Sequence, residues 1–287
     1  MTETVGLATT VASEFKVSPH NTPPDKLEKW RREDAALFAY VESKVPDVLD
    51  HTGSATFDEH LVGVQSVLRF WKAPDHVSKA GLFHSIYGSE GFQGFSLPLS
   101  ERFKLQNLIG EKAEFLVWIF CFVDRYTIDK HVMEWKQGND LKSSYIVRSR
   151  AETGRFEMTL STEEFLDFIE LTLADWLEQV EGASEKDNPY FLWKQGEAYA
   201  YRRDQYYIMS KLLAHERAPR LSEIVPRMHR AVMDTEKLET RNLIQPRTPP
   251  VSKAAELAFE ALRASGEDIP KVLNPQPRDE ISHYQEL

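Results

Sequence analysis

The sequence predicts a mainly all-α protein that carries one small β-hairpin. Apolar side chains recur at intervals of three and four residues along most of the chain, and helix-start signals precede several of these stripes. One stretch departs from this pattern, because residues 145–148 and 156–160 have strand-like composition and flank Glu152-Thr153-Gly154. We therefore expect a helical bundle, a small hairpin and a helical C-terminal extension.

The first elements follow from proline and capping signals. Residues 1–24 are polar and aperiodic, which predicts a disordered arm. A helix should begin at Pro24, because proline is favoured at the first helical position. The next helix contains His60, and Thr56 or Asp58 is expected to cap it.

The later elements are predicted to be long helices. One helical region should run from Ser100 to Asp124, and Ser161 with Glu164 forms a capping-box signal for the helix that contains Asp175. Aromatic-rich helices follow, one of them from Leu221 to about Leu243, and a last short helix is expected over 254–264. The predicted division is a disordered arm over 1–24, a helical domain over 25–182, a helical extension over 183–265 and an extended tail over 266–287.

Composition excludes several classes of protein. The 287 residues carry a formal net charge of −10, which opposes non-specific binding to nucleic acid. The longest apolar run, residues 115–123, is too short to span a bilayer, and the first residues lack the features of a secretory signal. A single cysteine, Cys121, excludes an intramolecular disulfide and a cysteine-based zinc cluster. We expect a soluble, cytoplasmic protein that binds neither membranes nor nucleic acid.

Two histidines that lie 24 positions apart indicate a site. His60 shares a helical stripe with Val64 and Val67, and His84 shares one with Val77 and Ala80. Histidine is the commonest metal ligand and titrates near neutral pH. Because both side chains should point inward from consecutive helices, we expect them to converge on one point.

A carboxylate is expected to join the two histidines. Asp175 follows Phe165, Phe168 and Thr172 on one helical stripe, so it should point into the interior. A buried carboxylate needs a partner, and a metal or the histidine pair would provide one.

These spaced residues resemble the HD superfamily of metal-dependent phosphohydrolases, and within it the hydrolase domain of the RelA/SpoT stringent-response proteins. The resemblance rests on His60, on the run Ala80-Gly81-Leu82-Phe83-His84 and on the run Leu173-Ala174-Asp175-Trp176-Leu177, within roughly residues 50–180. It implies an HD-like helical bundle in which His60, His84 and Asp175 hold a divalent Mn, Fe, Co or Zn ion and form the catalytic centre. The pair Asp124-Arg125 also resembles this domain and makes Asp124 the alternative third ligand; otherwise the two residues form an ion pair at a helix end.

The chain departs from the HD pattern after the second histidine. The expected aspartate is Ser85, and the acidic pair that follows in RelA/SpoT hydrolases is replaced by Gly88 and Ser89, with Glu90 just beyond. The run from Ala80 to Gly88 also resembles a signature of an uncharacterised family.

The resemblance implies hydrolysis of a small phosphorylated substrate such as a nucleotide. Ser85, Glu90 and Arg102 are the expected substrate contacts. Two basic groups are candidates for binding phosphate, namely Arg102 with Lys104 and the cluster of Arg148, Arg150 and Arg155. One alternative is a catalytically degenerate HD-fold protein that binds a ligand or a partner. Another is an HD-type di-iron oxygenase, which needs further ligands, usually extra histidines and a bridging aspartate. The available histidines are His51, His76 and His131.

Overall fold

The computed structural model describes residues 23–45, 57–89, 96–150, 157–187 and 194–243. Nine α-helices and two β-strands lie in these ranges, so the mainly helical fold with one hairpin is confirmed. None of the helices described is long and apolar enough to cross a membrane. The helices are α1 (Pro24–Lys44), α2 (Phe57–Phe70), α3 (Asp75–Phe83), α4 (Arg102–Ile109), α5 (Glu111–Phe122), α6 (Arg125–Glu134), α7 (Thr162–Ala183), α8 (Arg203–Glu216) and α9 (Ile224–Met233).

The hairpin consists of strands β1 (Ser144–Arg148) and β2 (Glu157–Ser161), which pair antiparallel. Alternate residues of both strands are buried, as expected for a hairpin with one face on a core. On the buried face, the Tyr145 ring stacks on the Phe165 ring of α7 at 3.8 Å. The predicted hairpin is confirmed, and its predicted turn residues lie outside the described part of the chain.

Helices α2, α3, α5 and α7 form the bundle that positions the candidate site. Helix α2 packs against both α3 and α7, and α3 packs against α5. Glycine permits the α2–α3 approach, since a Cβ at Gly81 would lie 2.5 Å from Leu68 Cδ1 and 3.3 Å from the Gln65 backbone. Helix α7 begins with the predicted capping box, in which Ser161 and Glu164 bond reciprocally.

Three predicted boundaries are wrong. The expected helix from Ser100 to Asp124 is two helices, because the backbone at Gly110 has a φ of 91° and breaks the helical path. Helix α9 ends at Met233, well before Leu243. Helix α3 ends at Phe83, so His84 lies in the turn that follows it and not on the helix itself.

The C-terminal helices pack directly on the bundle. Helix α8 contacts α6 and α7, and α9 contacts α7 and α8. A buried ion pair between Arg202 and Asp129 joins this region to α6. Arg220 binds the buried Glu170 of α7 through two hydrogen bonds of 2.7 and 2.6 Å. Most of the predicted arm, the helix over 254–264 and the tail lie outside the described residues.

Candidate metal centre

Three helical segments bring His60, His84 and Asp175 together. His60 comes from the first turns of α2, His84 directly follows α3, and Asp175 lies in the middle of α7. The two Nε2 atoms are 3.1 Å apart. Asp175 Oδ1 lies 3.2 Å from Nε2 of His60 and 3.3 Å from Nε2 of His84. Both rings are fully buried, and the carboxylate retains a small exposed fraction of 14%.

The other nitrogen of each ring has its own acceptor. His60 Nδ1 lies 2.6 Å from Oε2 of Glu178, and His84 Nδ1 lies 2.8 Å from the carbonyl oxygen of Gly81. A carboxylate and a carbonyl both accept hydrogen bonds, so each Nδ1 carries the hydrogen. In the neutral rings, both Nε2 lone pairs therefore face each other and the Asp175 carboxylate. Such a set of three electron-rich atoms is stabilised by a cation between them.

The spacing of these three atoms matches the spacing of ligands on one metal ion. Metal bonds of about 2.0–2.2 Å, at angles between octahedral and tetrahedral, separate neighbouring donor atoms by about 2.8–3.6 Å. The observed separations of 3.1, 3.2 and 3.3 Å all fall within this range. Imidazole nitrogens whose outer N–H groups are held by a carboxylate and a carbonyl are also typical of metal ligands. The donor set therefore fits a divalent transition metal.

The electrostatics of the cluster also favour positive charge. Burial alone would lower the pKa of His60, but Glu178 and Asp175 outweigh this effect and raise the pKa to about 9. Burial alone would raise the pKa of Asp175, but the two histidines hold it well below its usual range. One cation, whether proton or metal, is therefore strongly favoured at this point.

Neighbouring side chains fix the orientation of the cluster. Gln179 donates a hydrogen bond of 2.7 Å to Asp175 Oδ1 from one turn further along α7. The Phe120 ring meets the His84 ring edge-on at 5.0 Å. Cys121 donates its thiol hydrogen to the carbonyl oxygen of His84 at 3.0 Å. Helix α5 therefore contacts both the ring and the backbone carbonyl of His84.

The alternative ligand Asp124 has a different role. It is the N-cap of α6, and its carboxylate accepts the backbone N–H of Tyr126 at 3.1 Å. Among the residues the structure describes, the group with metal-ligand spacing contains Asp175 and does not contain Asp124. This grouping agrees with the preference for Asp175 that its Leu-Ala-Asp-x-Leu flanks gave.

The expected substrate contacts are placed as follows. Ser85 is buried in the turn after His84. Arg102 binds the buried Glu114 at 2.7 and 3.2 Å and lies over the Trp118 ring, so its charge is already balanced. Glu90 lies outside the described residues, as does most of the glycine-rich segment that follows it. Their contact with substrate stays a prediction.

Sequence reasoning missed Glu178 and its relation to Gly63. Glu178 lies three residues after Asp175, so both carboxylates project from one face of α7, and this spacing was the available signal.

The additional histidines lie elsewhere: His76 binds Asp167 at 2.7 Å, and His131 binds the carbonyl of Ile146 at 2.9 Å. His51 is outside the described residues.

Comparison with known proteins covers part of the chain. A family model described as a domain of unknown function, DUF6817, matches residues 40–125. This range includes His60 and His84 but ends before Asp175. No curated protein and no solved structure matches the chain. The match agrees with the predicted uncharacterised family, whereas the resemblance to HD hydrolases stays a prediction.

Proposed function

We propose that this chain is a metal-dependent hydrolase of a small phosphorylated substrate, and that His60, His84 and Asp175 hold its metal. The observation that carries the proposal is the convergence of two Nε2 atoms and one carboxylate oxygen at separations of 3.1–3.3 Å. Each of these groups is oriented by a further hydrogen bond, to Glu178, to the Gly81 carbonyl or to Gln179.

The donor set indicates which metals fit. Two imidazoles and one carboxylate are the ligands of many zinc sites and of mononuclear iron(II) sites, and three protein ligands leave positions open for water and substrate. Mg²⁺ prefers oxygen ligands and is disfavoured by the two nitrogens. A bound divalent cation would lower the pKa of a water molecule and neutralise phosphate charge. The chain's own part is to hold the three donor atoms 3.1–3.3 Å apart, with both imidazole rings buried.

The class of substrate comes from the resemblance to the RelA/SpoT hydrolase domain. Within this class, we propose a nucleotide as the more specific substrate.

Ser85 is the specific observation in favour of a second candidate function. It stands where the HD hydrolases have an aspartate, and loss of that anionic ligand would weaken the binding of hard cations. The second candidate is therefore a protein that keeps the fold and binds a ligand at this point without hydrolysing it.

A hydrolysis assay with defined metals tests the proposal. Protein made without a polyhistidine tag is stripped with a chelator, reloaded with Zn²⁺, Fe²⁺, Co²⁺ or Mn²⁺, and assayed with nucleotide and sugar phosphates. We expect phosphate release that depends on metal and falls at least about 100-fold in His84→Gln and Asp175→Asn, because each variant removes one of three ligands. His76→Gln is the matched control, since this histidine lies on α3 outside the cluster.

The outcomes separate the two candidates. Metal binding with no release of phosphate from any substrate would favour the non-hydrolytic protein. Equal activity in wild type and in both ligand variants would contradict the proposed centre.

A further inference from the structure

Helices α2 and α7 face each other through two pairs of residues, each spaced three apart. His60 and Gly63 lie on α2, and Asp175 and Glu178 lie on α7. Asp175 Oδ1 lies 3.2 Å from Nε2 of His60, while Glu178 Oε2 lies 2.6 Å from Nδ1 of the same ring. One helix therefore holds both nitrogens of the histidine that the other helix supplies.

Gly63 provides the space that the Glu178 carboxylate occupies. A Cβ at position 63 would lie 2.3 Å from Oε1 and 2.7 Å from Cδ of Glu178. No side chain approaches another so closely without displacement. Gly63 lies in the interior of a helix, where glycine is disfavoured relative to alanine, and this contact is a specific reason for glycine at the position.

We infer that Glu178 is a positioning residue of the metal centre and that Gly63 is required for its placement; this inference rests on the proposed function. Glu178 accepts the Nδ1 hydrogen of His60, fixes the ring with Nε2 toward Asp175 and His84, and makes that nitrogen a better donor to a metal. Its side chain is only 8% exposed, so the hydrogen bond competes little with water. The unit is a His-x-x-Gly segment on α2 packed against an Asp-x-x-Glu segment on α7.

Affinity for Zn²⁺, measured by competition with a chromophoric chelator, tests this role without an activity assay. Glu178→Ala should bind Zn²⁺ about 10–100-fold more weakly than wild type, the usual effect of losing such a partner. Glu178→Gln should recover most of this loss, because an amide oxygen can also accept the Nδ1 hydrogen. The visible absorption of bound Co²⁺ should change in Glu178→Ala, since the geometry of the His60 ligand is no longer fixed.

Gly63→Ala separates a positioning role from a general structural one. Alanine favours the helix, but the displaced carboxylate loses its hydrogen bond to the buried His60 ring, so the thermal midpoint of the metal-free variant should fall no further than that of Glu178→Ala. Its Zn²⁺ affinity should nevertheless fall as in Glu178→Ala. The double variant should be no weaker than Glu178→Ala alone, because both changes remove the same contact. Val62→Ala on α2 and Glu163→Gln at the start of α7 are the controls.

The positioning role is overturned if Glu178→Ala binds Zn²⁺ within about twofold of wild type, or if the Gly63→Ala loss adds fully to it. In either case Zn²⁺ binding by the wild type would still support the proposed centre. A wild type that binds no Zn²⁺, Fe²⁺ or Co²⁺ would instead contradict the proposed function together with this inference.

Discussion

His229 is a buried histidine outside the metal centre. It is 8% exposed on α9, with its ring 6.0 Å from the Trp176 ring and 5.9 Å from the Tyr207 ring. Its Nε2 has no hydrogen-bond partner among the described residues. Burial lowers the pKa of His229 to about 4 because a charged ring would lose its hydration there.

This lowered pKa predicts a loss of stability in mild acid. Above the unfolded pKa of about 6.5 the ring is neutral in both states, and its contribution is complete. As the pH falls toward 4, the unfolded chain takes up a proton that the folded chain refuses, so the free energy of unfolding decreases. Between about pH 7 and pH 5 the expected loss is on the order of 2 kcal/mol.

Urea unfolding of wild type and His229→Gln at the two pH values checks this prediction. The variant cannot take up the proton, so its stability should fall less than that of wild type. The same fall in both proteins would show that His229 is not the group responsible.

The convergence of the two histidines followed from the sequence, whereas the role of Glu178 did not. His60 and His84 each shared an apolar helical stripe, and such stripes predict burial well. Glu178 lies 118 positions from the ring that it binds, and a second carboxylate one turn after Asp175 is common on solvent-exposed helix faces. Only the packing of α2 on α7 distinguishes it from an ordinary surface residue.

Helix ends were predicted less well than helices. The capping box at Ser161 was recognised because its two residues have a fixed spacing. Gly110 was not recognised as a break because an isolated glycine inside an apolar periodic pattern is compatible with a continuous helix. The end of α3 before His84 was missed for a similar reason, since the apolar spacing continues through the turn.

The close packing of α3 on α2 at Gly81 predicts how a larger side chain there affects stability. A Cβ there would meet Leu68 Cδ1 at 2.5 Å and the Gln65 backbone at 3.3 Å, and Leu68 is fully buried among its neighbours. We expect Gly81→Ala to destabilise the metal-free protein by about 1–2 kcal/mol, because overpacking outweighs the helix preference of alanine. The loss expected for Gly63→Ala is smaller, because the Cβ there meets the carboxylate end of the Glu178 side chain and not a backbone.

Chemical denaturation of both alanine variants beside wild type measures this difference. A Gly81→Ala protein as stable as wild type would contradict the close approach of α3 to α2 at this glycine.

The C-terminal helices α8 and α9 pack on α7, the helix that carries Asp175. Trp176, the neighbour of Asp175, stacks on Tyr206 of α8 at 4.2 Å. The Arg202–Asp129 and Arg220–Glu170 pairs attach the same region to α6 and α7. The aromatic composition of this region predicted buried helices, but its partners could not be predicted because these pairs join residues 73 and 50 positions apart. The core formed by these helices therefore continues from the bundle without interruption.

A diffraction experiment at a metal absorption edge tests the metal centre most directly. Crystals of the tag-free protein grown with Zn²⁺ or Co²⁺ should give one strong anomalous peak bounded by His60, His84 and Asp175. The peak should lie about 2.0–2.2 Å from both Nε2 atoms and from the nearer carboxylate oxygen. A fully loaded crystal with its anomalous peaks elsewhere, and with His60 and His84 still in direct contact, would contradict a metal at this point.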